Sequence, residues 1–208
     1  MILMSAYMLA GNLPSFIHGK DIFGTRVFIE NKGQFNAVMN ESVKFAFESG
    51  RENVYFTNTG LVYKLIKKHG LTHDQREKLE KGKDIHPKPD DIHYVKMSWL
   101  NSNPEMSIVE SEKQTHYFTY GGPEWNASTY KKITYKNVYD KIDIEYVFTD
   151  QYEHGIKYNV ILHPGADVSK IKIAYTGDVD GIKISKGNVI VKTPLVVLPF
   201  QKVGGFTA

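Results

Sequence analysis

Apolar side chains alternate with polar ones along most of this chain, and that period of two restricts the fold more than any other feature of the sequence. Val43, Phe45 and Phe47 share one face of an extended segment, and so do Leu61, Tyr63 and Leu65. Val95, Met97 and Trp99 alternate with Tyr94, Lys96 and Ser98. Ile142, Ile144, Tyr146 and Phe148 alternate with Asp143 and Glu145, and Ile156, Tyr158, Val160 and Leu162 repeat the pattern. Ile171, Ile173 and Tyr175 continue it, then Ile182 and Ile184, then Val189 and Val191. A helix would scatter such positions around its circumference. A strand gathers them on one side, so each segment reads as a half-buried strand. Asn58-Thr59-Gly60, His154-Gly155, Asp180-Gly181 and Lys186-Gly187-Asn188 supply turns between them. Strands this close together, without helical patterns between, predict an all-β fold: an antiparallel β-sandwich-like single domain. The 13 Tyr and 11 Phe fit, since aromatic rings pack well on pleated surfaces.

One segment departs from the rhythm. Lys67–Asp91 is highly polar, and Thr72 followed by Gln75 forms a capping box that predicts a short helix over Thr72–Lys81. Such a helix has almost no apolar stripe, so the segment reads as a solvated excursion between two strands, with Pro87 and Pro89 keeping its exit extended. At the start, Met1–Ala10 is the most apolar run, about half the length that a membrane-spanning helix needs. Residues 1–20 are expected to be a leader, either a signal peptide truncated at its basic end or a disordered segment; a buried first strand is the alternative. Residues 21–208 form the β-sandwich-like domain. It is expected to be incomplete at its C-terminus, because the apolar run Val189–Phe200 would leave an open sheet edge.

Chemistry is sparse. Cys is absent, which excludes disulfides, thiol catalysis and Cys-based metal sites. The net charge of +3 comes from 26 basic and 23 acidic side chains spread along the chain, so no nucleic-acid partner is implied. GxSxG, GxGxxG and P-loop motifs are missing. His69 and His73 have helical i,i+4 spacing but no Glu between them, and read as solvated loop histidines, not metal ligands. Asp143 and Glu145 share one face of a strand, opposite Ile142, Ile144 and Tyr146, and read as the solvent side of a sheet. Asp143 could also accept nearby backbone N–H groups. Asp178 and Asp180 begin a calcium-loop pattern that lacks its remaining ligands, so a turn is expected. Trp125, beside Gly121-Gly122-Pro123, is the weak candidate for ligand binding, with core packing as its alternative role. No catalytic residue, metal site or cofactor is expected.

Four segments taken together carry a resemblance: Phe28–Gln34, Val54–Tyr63, Tyr130–Tyr139 leading into Ile142-Asp143, and Ile156–Asp167 running on to Gly177. In this order they resemble the N-terminal β-rich domain, of unknown function, of large secreted bacterial proteins. In such proteins that domain often precedes SBBP-type β-propeller repeats and a gliding-motility or secretion-sorting module. The resemblance covers about residues 27–197 and implies an exported or surface-associated, non-enzymatic module; it brings no catalytic residues with it. The residues themselves are explained by shape. Gly33, Gly60 and Gly165 sit where turns need permissive angles, Pro164-Gly165 ends a strand, and Asp167 or Ser169 caps the turn that follows. Tyr135 and Tyr139 can fill a core while their hydroxyls reach backbone groups at its rim.

Three functions follow in order of expectation. The first is an extracellular or cell-surface structural and interaction domain, the N-terminal module of an adhesin- or envelope-type protein whose partners are other envelope proteins or surface glycans. The second is a carbohydrate-binding module using Trp125. The third is a glycoside hydrolase using Asp143 and Glu145.

Overall fold

The computed structural model of the chain describes residues 2–9, 26–49, 52–121, 126–148 and 155–207. Its strands are β1 (Ile2–Leu9), β2 (Phe28–Glu30), β3 (Val43–Glu48), β4 (Glu52–Thr57) and β5 (Gly60–Lys67). After helix α1 (His73–Glu80) come β6 (Asp91–Trp99), β7 (Ser107–Thr119), β8 (Asn126–Tyr139), β9 (Ile142–Phe148) and β10 (Gly155–Leu162). The last are β11 (Ile173–Gly177), β12 (Gly181–Ser185), β13 (Asn188–Lys192) and β14 (Val197–Thr207). All pair antiparallel in one sheet, ordered β11-β6-β5-β4-β3-β2-β8-β9-β10-β1-β14-β13-β12, with β7 against β8. The expected all-β architecture is what the chain adopts.

β8 makes the sheet curl. Tyr130 lies between Lys113 of β7 and Phe28 of β2, whereas Lys132 lies between Ser111 of β7 and Val147 of β9. β2 and β9 therefore occupy the same side of β8, one after the other along its length. From them grow two limbs, β2-β3-β4-β5-β6-β11 and β9-β10-β1-β14-β13-β12. β7 slips register between Lys113 and Tyr117, where β8 passes from one limb to the other. Strands that serve two sheets turn their corner at such irregularities.

The limbs close on each other over aromatic side chains. Phe28 meets Phe148 at 4.5 Å between ring centres, Phe56 meets Tyr146 edge-on at 5.3 Å, and Trp99 meets Tyr158 at 5.5 Å. At the far side Tyr175 of β11 stacks on Phe200 of β14 at 4.8 Å. Contacts of this kind add roughly 0.5–1.5 kcal/mol each beyond the area they bury. Two hydrogen bonds cross the same core: the Trp99 indole N–H donates to the Tyr146 hydroxyl (2.9 Å), and the Tyr135 hydroxyl donates to the Thr57 carbonyl (2.8 Å). Tyr139 also reaches backbone, donating to the Leu100 carbonyl. Burial pushes the hydroxyls of Tyr63, Tyr135 and Tyr146 well above the usual phenol range, so they remain protonated.

Leu61, Tyr63, Leu65, Val95, Met97, Trp99, Ile142, Ile144 and Tyr146 all enter this core, as their alternation predicts. Val43 does not share a face with Phe45 and Phe47. A bulge between Val43 and Phe45 turns it to a second cluster with Ala46, Tyr55 and Val62. Gly60 has no room for a side chain: a Cβ there would lie 2.0 Å from the Met97 carbonyl oxygen.

The excursion folds as its capping box predicts. Thr72 caps α1, accepting from the Gln75 N–H, while the Gln75 side chain accepts from the Thr72 N–H. No residue of α1 is buried. Among the described residues no helix is long and apolar enough to cross a membrane. The run Val189–Phe200 is not the open edge. Thr193–Val196 turns the chain so that Val189 pairs with Phe200 and Val191 with Leu198, and β14 is flanked on its other side by β1. Among the described strands the order ends at β11 and β12, and Ile182 and Ile184 of β12 are 52% and 78% exposed instead of half-buried. Alternation put them on the core side, but no strand stands opposite.

The Trp99–Tyr146 bond offers a direct check on the closure. Tyr146→Phe leaves a buried N–H without an acceptor and is expected to lower the unfolding free energy in urea by about 1–3 kcal/mol. Combining it with Trp99→Phe is expected to cost less than the sum of the single changes. A fully additive pair would show that the contact does not hold the limbs.

Candidate functional site

Asp143 accepts three hydrogen bonds, more than any other carboxylate among the described residues. Between Tyr135↔Ile144 and Tyr139↔Ile142, four steps along β8 face two along β9, so β8 bulges. Asn137 sits in the bulge with φ 57°, a left-handed conformation that strains an ordinary residue. Such a backbone persists only if its polar groups find partners. Asp143 supplies one: its Oδ1 accepts from the Asn137 N–H at 2.7 Å. Its Oδ2 accepts from Lys136 Nζ at 2.9 Å and from His163 Nε2 at 3.0 Å. Asn103 completes the set, its N–H donating to the Val138 carbonyl and its side-chain amide to the Asn137 carbonyl. His163 is placed at the end of β10 by its own N–H, which bonds the Lys141 carbonyl.

Asp143 therefore lies on the outer face of β9, as the alternation requires, yet is only 4% exposed. The bulge, Lys136 and His163 cover what the sequence reads as a solvent-facing position. Burial raises its pKa, but the Asn137 N–H, Lys136 and His163 outweigh it and hold the carboxyl below the usual range. Lys136 is half-exposed and adds little; the Asn137 backbone N–H is the contact that matters. Glu145, next on the same face, accepts from Asn159 Nδ2 at 2.9 Å and lies 3.4 Å from Lys132 Nζ, which also reaches Glu112 at 3.3 Å. The two carboxylates are thus held by separate partners.

An aspartate bonded to an imidazole can orient a general base, but a nucleophile must stand on the base's other side. Among the described residues no hydroxyl is hydrogen-bonded to His163. The arrangement acts as a clamp, in keeping with the expected capture of backbone N–H by Asp143. Neither Lys136 nor His163 was legible as its partner: they lie 7 and 20 residues away, and only the bulge and the β9–β10 pairing bring them together.

The other candidates are separate. His69 bonds Asp91 at 2.8 Å, and that bond lowers the Asp91 pKa. Asp178 accepts from the Tyr94 N–H, with His93 at 3.4 Å, and tethers the β11–β12 turn. Asp167 caps the short 3-10 turn Val168–Lys170 by accepting from the Ser169 N–H. Among the described residues no cluster of three His, Asp or Glu side chains is arranged to hold a metal ion. Trp125 and His154 lie outside the described residues. Sequence reasoning missed Glu52, whose carboxyl is pushed up to about 7 by burial. Its signal was present: Glu52, Val54 and Phe56 alternate, which places the carboxyl on the core side of β4 near Tyr63.

These two carboxylates have opposite pH signatures. For Asp143 the folded-state pKa is lowered, so its stabilisation is complete above the unfolded value near 4 and is lost as pH falls through the folded value. For Glu52 it is raised, so its penalty builds from roughly pH 4 to 7 and is complete above that. Asp143→Ala is expected to lose about 1.5–3 kcal/mol at pH 7, because it removes the charged acceptor of the Asn137 N–H. Glu52→Gln is expected to raise Tm at pH 8 and leave it unchanged near pH 4. Thermal unfolding across pH reads both; a neutral Asp143→Ala would mean that the bulge does not need its clamp.

The sequence model of a family described as a domain of unknown function (DUF7948) matches residues 28–203, from β2 into β14. No curated protein and no solved structure matches the chain.

Proposed function

We propose, for a chain that belongs to the DUF7948 domain family, that it is a non-catalytic, exported or cell-surface structural and interaction module. In this reading it is the N-terminal part of a larger adhesin- or envelope-type protein, of the kind that carries SBBP repeats and gliding-motility or sorting modules. The observation that carries the reading is the use of Asp143, a carboxylate whose hydrogen bonds hold the backbone of the β8 bulge. The aromatic abundance that motivates a carbohydrate site is largely taken up between the limbs, with Tyr117 on β7 the large exposed aromatic among the described residues. What such a body offers is a stiff platform whose sheet edges and outer faces meet partners.

Location tests the reading. An epitope-tagged full-length protein, expressed from its own gene, is expected to be cleaved when intact cells are treated with protease, or to be recovered from the medium. Confinement to the cytosolic fraction would contradict it.

A further inference from the structure

We infer that the free edge of β12 accepts an extended segment of a partner protein, with alternating apolar and acidic residues, as an added β-strand. The inference rests on the interaction-module reading and names the surface and the partner chemistry. β12 ends the sheet order and pairs only with β13 among the described strands. The hairpin turns at Lys186-Gly187, with φ 50° and 80°, a two-residue loop closed by the pair Ser185↔Asn188. In such a hairpin the closing pair exchanges both backbone bonds, and hydrogen-bonded pairs recur at every second residue. Ser185, Lys183 and Gly181 therefore bond inward to β13. The N–H and C=O groups of Ile182 and Ile184 point outward, ready to template another strand. The side chains of those isoleucines are the most exposed apolar surface at this end of the sheet.

Charge selects the occupant. From Gly181 to Phe200 the chain carries Lys183, Lys186 and Lys192 and no Asp or Glu. None of the three lysines forms an ion pair among the described residues. Lys183 and Lys192 line an open groove together with Gly181, Ile182, Ile190 and Val197. A guest strand with apolar residues over Ile182 and Ile184, and carboxylates on the Lys183 face, satisfies both sides of β12. A lysine on an edge discourages indiscriminate pairing, and here it discriminates in favour of acidic strands. A second copy fits less well: pairing that aligns the isoleucines sets Lys183 against its counterpart. The β7 edge is guarded differently, by Glu110, Glu112 and Lys113 and by its register slip.

The test titrates the intact chain into a fluorescein-labelled peptide of about eight residues alternating valine and glutamate, read by anisotropy, with a valine–lysine peptide as control. Saturable binding that weakens with salt and is absent for the control is expected. Ile184→Pro removes an outward N–H without touching the β13 ladder, and is expected to weaken binding by at least about tenfold at unchanged Tm. Lys183→Glu leaves the backbone intact and is expected to weaken binding similarly, so the inference stays testable if the proline variant misfolds. No saturable binding, equal binding of the control, indifference to both variants, or self-association abolished by Ile184→Pro would overturn it. A surface-located protein that binds no peptide refutes only this inference, whereas a cytosolic one refutes the export reading instead.

Discussion

Everything in this fold depends on one strand serving two sheets. β8 must pair with β9 along one stretch and with β2 along the next while β7 follows its opposite side. A flat strand cannot do this, and the chain resolves it with irregularities: a slip in β7 at the corner and a bulge in β8 beyond it. The bulge carries the left-handed Asn137, and Asp143 holds its backbone N–H. The buried carboxylate is tolerated because three donors converge on it. The side chain that looks most like chemistry thus holds the bulged end of β8 beside its turn into β9.

Once curled, the sheet buries a core that is unusually aromatic and partly polar. Tyrosine and tryptophan suit it because each fills volume with a ring and still carries a group that can bond across the gap. Trp99 to Tyr146 does so from one limb to the other, and Tyr135 to Thr57 does so from β8 to β4. These bonds are directional, so they fix the relative placement of the limbs in a way that aliphatic packing would not. The polar excursion around α1 and the exposed edge of β12 lie outside this core.

Much of this was legible because it is local. Alternation identified Leu61, Tyr63 and Leu65 as one face, the Thr72–Gln75 box marked the start of α1, and Pro164-Gly165 marked the end of β10. Asp143 was readable as an acceptor of backbone N–H because the strand start placed it beside a turn. The bulge that turns Val43 away from Phe45 was not readable, since an inserted residue leaves the alternation on either side intact. The partners of Asp143 were hidden for a different reason: they are set by strand pairing, which a period of two does not specify. The exposure of Ile182 and Ile184 shows the third limit. Alternation says which side chains share a face, not whether another sheet stands over it.

The claim that β8 ties both limbs into one cooperative unit is tested most directly by native-state hydrogen exchange. The amides of Ile133 and Tyr135 in β8, Phe56 in β4 and Ile144 in β9 should be read in the unaltered protein and in Asp143→Ala. All four are expected to exchange through a common global opening, with loss of the clamp lowering their protection together. If Ile144 opens while Phe56 keeps its protection, the limbs are independent and β8 does not couple them.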